Sequence, residues 1–83
     1  MDKKFLDKVV NQIVSETRMD EERVYVPFLP QSLPPSLFLR EYLSPLSFSK
    51  HCREVYGLND NEVKYVWKEY REIVKDKIKN NGL

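Results

Sequence analysis

The sequence has few of the residues from which catalytic and metal sites are built. Its 83 residues include one cysteine, one histidine and two glycines. A single cysteine excludes an internal disulfide, and one cysteine with one histidine cannot complete a zinc site within one chain. Two glycines exclude a glycine-rich phosphate-binding loop. We therefore expect no enzyme, no metal site and no cofactor.

The sequence also lacks a strong charge excess and a long apolar run. Its formal net charge is +1, so the overall field does not favour nucleic acid or anionic lipid. No apolar stretch approaches the roughly 18 residues that would cross a bilayer. The N-terminal sequence MDKKFLDKVV is interrupted by acidic residues, unlike a secretory signal. These features predict a protein inside a cell or a virion, not a secreted or membrane-bound one, and indicate no small-molecule substrate.

The apolar pattern predicts one mostly α domain covering residues 1–83. A chain of this size buries only roughly 60–65% of its unfolded surface, so it folds alone with a small margin. The fold class is a small helical domain of three to four helices with a proline-rich extended segment. The predicted helices lie near 2–17, 36–43, 45–56 and 60–79, and the extended segment covers 24–35.

The last third of the chain carries the clearest signals. Gly57 suits the left-handed position that ends a helix, and Leu58 is placed to fold back onto that helix. Asn59 followed by Glu62 resembles a capping box that starts the next helix. Apolar residues then recur at helical spacing over about four turns. They are Val63, Val66, Trp67, Tyr70, Ile73, Val74 and Ile78.

Residues 24–35 have a different pattern. Apolar residues alternate from Val24 to Phe28, and four of the five prolines lie between positions 27 and 35. Proline removes a backbone donor and favours extended geometry before it. The interleaved apolar residues argue against disorder, so we expect an ordered strap across the helices. The helix at 36–43 is apolar on most sides, which fits either a core helix or one that docks into a partner.

Two further expectations concern single residues and the core. Cys52 lies on the apolar stripe of its helix and should be buried, whereas His51 lies off that stripe and should be on the surface. On the last helix, Glu72 with Lys75 and Asp76 with Lys79 are spaced as ion pairs. The predicted core consists of Phe5, Val9, Ile13, Phe38, Phe48, Val55, Val63, Trp67, Tyr70 and Ile73.

The leading functional prediction is a non-enzymatic protein-interaction or assembly module that associates with a protein partner or with itself. A proline-stiffened apolar segment loses little entropy when it orders against a partner. The number of apolar residues is also high for so short a chain. The candidate partner-binding residues are Tyr25, Phe28, Leu29, Leu33, Leu37 and Tyr42.

The alternative prediction is a small DNA-binding regulator. The segment CREVYGLNDNEVKYVWKEY resembles a helix-turn-helix, with Gly57 at the turn and apolar residues around it. It departs from the motif at Arg53, where a small residue is usual, and at the acidic start of the second helix, where Asp60 and Glu62 would face phosphates. The candidate nucleic-acid contacts are Lys64, Tyr65, Lys68 and Arg71.

A broader resemblance rests on two segments, VVNQIVSET and YGLNDNEVKYVWKEYREIVKDKI. The layout resembles small uncharacterised accessory proteins of tailed bacteriophages, especially marine ones. The resemblance implies a phage-encoded protein, either a virion component or a modifier of host machinery, located in the host cytoplasm or in the virion. It assigns no role to any residue.

Overall fold

The structure is a computed structural model that describes residues 2–39 and 46–80. Four helices and a two-stranded sheet make up the described part of the chain, which confirms the predicted mostly α fold. In chain order the elements are α1 (Lys3–Glu16), β1 (Arg18–Met19), β2 (Val24–Tyr25), α2 (Pro35–Leu39), α3 (Leu46–Tyr56) and α4 (Asp60–Asn80).

Helix α1 begins at a side-chain cap, since the Oδ1 atom of Asp2 accepts a hydrogen bond from the backbone N–H of Phe5 at 3.2 Å. The buried residues of α1 are Leu6, Val9, Val10 and Ile13. The prediction that Phe5 belongs to the core is wrong, because its side chain is 42% exposed. Phe5 lies in the first turn of α1, at the edge of the buried face. No earlier turn of the helix is present to cover its side chain.

Residues 18–25 form a short antiparallel hairpin. Arg18 pairs with Tyr25 and Met19 with Val24. The turn is closed by Asp20, whose Oδ1 atom accepts hydrogen bonds from the backbone N–H groups of Glu22 and Arg23, each at 2.8 Å. These bonds lower the pKa of the Asp20 carboxyl.

The segment that follows is not a straight strap. Val24 and Leu33 exchange two backbone hydrogen bonds, at 2.6 and 2.8 Å, so residues 24–33 leave the sheet and return to it. We call residues 24–33 the closed loop. Alternation alone predicts extended backbone but cannot show where such a chain reverses.

Helices α3 and α4 join at a three-residue turn. Gly57 has a φ of +67°, and its N–H donates to the carbonyl of Arg53, as in a left-handed helix stop. The capping box at the start of α4 forms in both directions. Asn59 N–H donates to Glu62 Oε1 at 3.0 Å, and Glu62 N–H donates to Asn59 Oδ1 at 2.9 Å. Helix α4 has 21 residues and runs nearly the full 36 Å length of the molecule.

The core lies between α4 and the other three helices, all of which contact α4. An aromatic cluster occupies its centre, with the Phe48 ring 5.4 Å from the Tyr70 ring and 5.1 Å from the Phe28 ring. The buried residues are Leu6, Val9, Val10, Ile13, Val24, Val26, Phe28, Phe38, Phe48, Cys52, Leu58, Val63, Val66, Tyr70, Val74 and Ile78.

Three other predicted core residues differ from expectation. Val55 is 58% exposed, so its assignment to the core is wrong. Helix α3 buries a narrow line, Phe48 and Cys52 with Tyr56 half-buried, and Val55 lies about 100° away from Tyr56 around the helix. Trp67 and Ile73 are partly buried and pack at the edge of the core.

Candidate functional site

The closed loop is fixed at both ends. Besides the Val24–Leu33 backbone pair, the side chain of Arg23 donates to the Oγ atom of Ser32 at 2.8 Å and to its carbonyl at 2.6 Å. Val24, Val26 and Phe28 anchor the inner side of the loop in the core. The loop therefore has a defined backbone without being part of a regular sheet.

The outer side of the closed loop consists of Tyr25, Pro27, Leu29 and Pro30. Tyr25 is 46% exposed, which is unusual for a large aromatic side chain on so small a protein. Pro27 and Leu29 are half-buried and Pro30 is exposed. Apolar and aromatic surface on a rigid backbone is typical of protein-interaction sites.

The other candidate partner-binding residues do not form one surface with Tyr25. Phe28 points into the core, where it is 8% exposed and offers little area to a partner. Leu33 and Leu37 are half-buried, and Leu33 packs against the core. Tyr42 lies outside the described residues.

Helix α4 has a line of basic residues along one side. Lys64, Lys68, Arg71, Lys75 and Lys79 follow one another at steps of four, three, four and four, which places them on one side of a helix. We call these five residues the basic row. It extends over about 22 Å at 1.5 Å per residue.

Three acidic residues of α4 lie apart from the basic row, whereas Glu72 lies beside it, four residues after Lys68 and three before Lys75. Glu62, Glu69 and Asp76 recur every seven residues and follow their own line about a third of a turn away. The expected pairs of Glu72 with Lys75 and of Asp76 with Lys79 do not form within the described residues. Exposed pairs of this kind contribute little, so side-chain entropy keeps them apart.

Tyr65, the fourth candidate nucleic-acid contact, is not part of the basic row. Its hydroxyl donates to the Oδ1 atom of Asp7 on α1 at 2.8 Å. This hydrogen bond, with the nearby carboxylate charge, raises the pKa of Tyr65 to about 12. Tyr65 therefore links α1 to α4 and does not point toward the lysines.

A groove lies where α3 meets the side of α4 that carries the basic row. It has a volume of about 280 Å³ and is lined by Ser49, Asp60, Val63, Lys64 and Trp67. The indole of Trp67 is held from behind by Phe48, with the ring centres 4.8 Å apart. We call this cavity the Trp67 groove. Lys64 belongs to both the groove and the basic row.

The start of α4 is occupied by internal contacts. Asp60 forms an ion pair with Arg53, the residue that departs from the helix-turn-helix pattern. Both side chains are more than half exposed, so the pair lies at the surface and not at a close helix crossing. Glu62 is engaged in the capping box, and the first turn of α4 therefore presents carboxylates and not donors.

The single cysteine and the single histidine form no reactive pair. Cys52 is fully buried, as predicted, and burial raises the pKa of its thiol to about 11. His51 is half-buried, so the expectation of a surface residue is wrong. Its ring lies 6.0 Å from that of Tyr56, and its Nε2 atom has no hydrogen-bond partner among the described residues. It borders a cavity of about 270 Å³ that is open to solvent.

The described residues contain neither a cluster of metal-binding side chains nor a membrane-spanning helix. Nowhere in residues 2–39 and 46–80 do three or more His, Cys, Asp or Glu side chains gather as a metal site would require. None of the helices in these ranges combines the length and apolarity needed to cross a membrane.

Comparison with known proteins adds no family assignment: no family model, no curated protein and no solved structure matches this chain.

Proposed function

We propose that this domain is a non-enzymatic protein-interaction or assembly module that self-associates through the outer side of the closed loop. The observation that carries the proposal is the exposure of Tyr25 on a backbone fixed by the Val24–Leu33 pair and by Arg23. Tyrosine is enriched in protein interfaces because it combines a large apolar area with a hydroxyl donor.

The rigidity of the closed loop supports the proposal. When a flexible segment binds, part of the favourable binding free energy is offset by the entropy lost in ordering that segment. Each immobilised side chain costs about 0.5–1.5 kcal/mol, and loop ordering adds to this. The closed loop has already lost most of that freedom on folding, since its inner residues are in the core. Contacts at Tyr25 would then lose less of their free energy to ordering, whereas Leu29 is already packed against the core.

Sedimentation equilibrium at micromolar concentration tests self-association. We expect a mass that rises with concentration for the wild type and a monomer for Tyr25→Ser. Phe5→Ser is the matched control, because Phe5 has a similar exposure of 42% but lies on α1. A wild-type chain that stays monomeric, or equal effects of the two substitutions, would contradict the proposal.

The alternative of a helix-turn-helix regulator receives less support. A reading helix presents its N-terminal residues to base edges and phosphates. In this chain that turn carries the Arg53–Asp60 ion pair and the Glu62 cap, and both place carboxylates where phosphates would lie. We therefore do not propose duplex reading by the start of α4.

The phage origin remains a prediction from the sequence resemblance. It would place the module in a host cytoplasm or in a virion, where small self-associating proteins serve assembly or bind host components. Genomic neighbourhood tests this part directly. A position among virion genes would support it, and a position in a conserved cellular operon would contradict it.

A further inference from the structure

The basic row and the Trp67 groove form a second surface that the proposed self-association does not use. Lys64, Lys68 and Lys79 are exposed, and Arg71 and Lys75 are half-buried with their stems along the helix. Within the described residues, none of the four lysines of the row pairs with a carboxylate. Their charge is therefore available to an external anion.

We propose that this surface binds single-stranded nucleic acid, with the phosphates along the basic row and a base in the Trp67 groove. A nucleic-acid backbone is bound largely through release of its condensed counterions, so a line of cations suffices for affinity. Stacking of a base on an aromatic side chain adds affinity and needs no particular sequence.

The distribution of charge on α4 favours a single strand over a duplex. A helix in the major groove, which is about 12 Å wide, faces phosphates on both of its flanks. The other flank of α4 carries Glu62, Glu69 and Asp76. In the major groove these carboxylates would face the phosphates of one of the two DNA strands. A single strand that lies along one side of the helix contacts the basic row and avoids these three carboxylates, although Glu72 borders the row and Asp60 lines the groove.

The same surface is poorly suited to an acidic protein helix. Exposed ion pairs between side chains contribute little to affinity, so a protein partner needs apolar contact as well. The Trp67 groove itself offers little apolar area, because Trp67 is half-buried and its other apolar residue, Val63, is buried.

Fluorescence measurements on the full chain test the proposal. Trp67 is the only tryptophan, so its intrinsic emission reports on the groove without a label. We expect a short mixed-sequence DNA strand to quench this emission, and a fluorescein-labelled copy to gain anisotropy at low salt. The affinity should fall with salt with a log–log slope of about −3, as about four phosphate contacts, one at each lysine of the row, imply for a single strand. The matching duplex should bind more weakly.

Charge-reversal variants locate the site. The double variant Lys68→Glu with Lys75→Glu should bind at least about tenfold more weakly and with a shallower salt slope. The control, Lys77→Glu with Lys8→Glu, changes the net charge equally. Lys77 is exposed on the opposite side of α4 from Lys68, and Lys8 is exposed on α1. Circular dichroism confirms that both variants remain folded.

Three results would overturn the proposal. The first is no binding of the strand at low salt. The second is an equal loss of affinity in both double variants, which would indicate non-specific electrostatic attraction and not binding at the basic row. The third is polyglutamate binding as tightly as the strand and quenching Trp67 equally, which would point to an acidic protein partner.

Discussion

The hydroxyl groups of Thr17 and Tyr70 lie 2.8 Å apart, although 53 residues separate them in the chain. Thr17 also donates its only hydroxyl proton to the carbonyl of Ile13 at 2.8 Å, so Tyr70 is the donor in the bond between the two side chains. Tyr70 is fully buried, and burial raises its pKa. The bond therefore satisfies a phenol in the centre of the core and joins the end of α1 to the middle of α4.

A double-mutant cycle on this pair should show coupling. Tyr70→Phe removes one hydrogen bond and should lower the free energy of unfolding by about 1 kcal/mol, whereas Thr17→Val leaves the buried phenol unsatisfied and should cost about 2 kcal/mol. The double variant should lose less than the sum, because the second change removes a bond that is already broken. Urea denaturation measures all four proteins. Thr17→Ser keeps the hydroxyl and is the control, and strictly additive losses would contradict the pairing.

Alkaline pH should destabilise the fold in a defined window. Tyr65 has a pKa near 10 when unfolded and about 12 when folded, because its hydroxyl donates to Asp7. The folded state then holds more protons than the unfolded state between these values, so the free energy of unfolding is intact below pH 10 and falls as the pH rises toward 12. Burial shifts the pKa of Tyr70 and Tyr56 in the same direction.

The contribution of Tyr65 can be isolated with Tyr65→Phe. This variant should show a shallower loss of stability between pH 10 and pH 12 than the wild type, measured as the urea midpoint across that range. An identical pH dependence in the two proteins would mean that the hydrogen bond to Asp7 does not persist in solution.

Gly57→Ala should destabilise the protein by about 1 kcal/mol through the backbone alone. The φ of +67° disfavours any residue with a Cβ atom, yet a Cβ built at this position would meet no atom within 4 Å. Gly57→Asn should therefore cost less than alanine, since asparagine tolerates the left-handed region better. Thermal or urea unfolding of the two variants gives the comparison, and equal losses would point to a steric effect instead.

The buried and exposed valines provide a test of the packing. Val66 is fully buried, and Val66→Ala should cost about 2 kcal/mol from lost transfer free energy and the remaining cavity. Val55 is 58% exposed, so Val55→Ala should change the free energy of unfolding by less than about 0.5 kcal/mol. A large loss at Val55 would indicate that α3 packs against a further surface in solution, such as a second copy of the chain.

The helix pair at residues 46–80 was the most predictable part of the fold, for a local reason. Gly57, Asn59 and Glu62 make their contacts with residues at most four positions away, and such contacts are visible in sequence order. The Val24–Leu33 pair depends on eight intervening residues that include prolines, and alternation gives no information on where they turn. The segment that was predicted to be an extended strap is therefore a closed loop in the structure.

The orientation of each helix about its own axis was less predictable than its existence. Two sets of residues on α1 fit a helical face: one is 5, 9 and 13, and the other is 6, 9, 10 and 13. The position of α4 decides between them, so that Leu6 is buried and Phe5 is not. The candidate nucleic-acid residues show the same limit. Lys64, Lys68 and Arg71 were grouped as candidates and share one side of α4. Lys75 and Lys79 lie on the same side but were assigned to ion pairs, and the hydrogen bond of Tyr65 to Asp7 depends on the tertiary structure.

The central position of α4 has a consequence for how the protein is made. Synthesis proceeds from the N-terminus, so the ribosome produces α1, the hairpin, the closed loop and α3 before the residues against which they pack. Until residues 63–78 have emerged from the exit tunnel, the side chains that pack against α4 are covered only by one another. The complete core can therefore form only after α4 has been synthesised, and before that point chaperones would have access to Phe38 and Phe48.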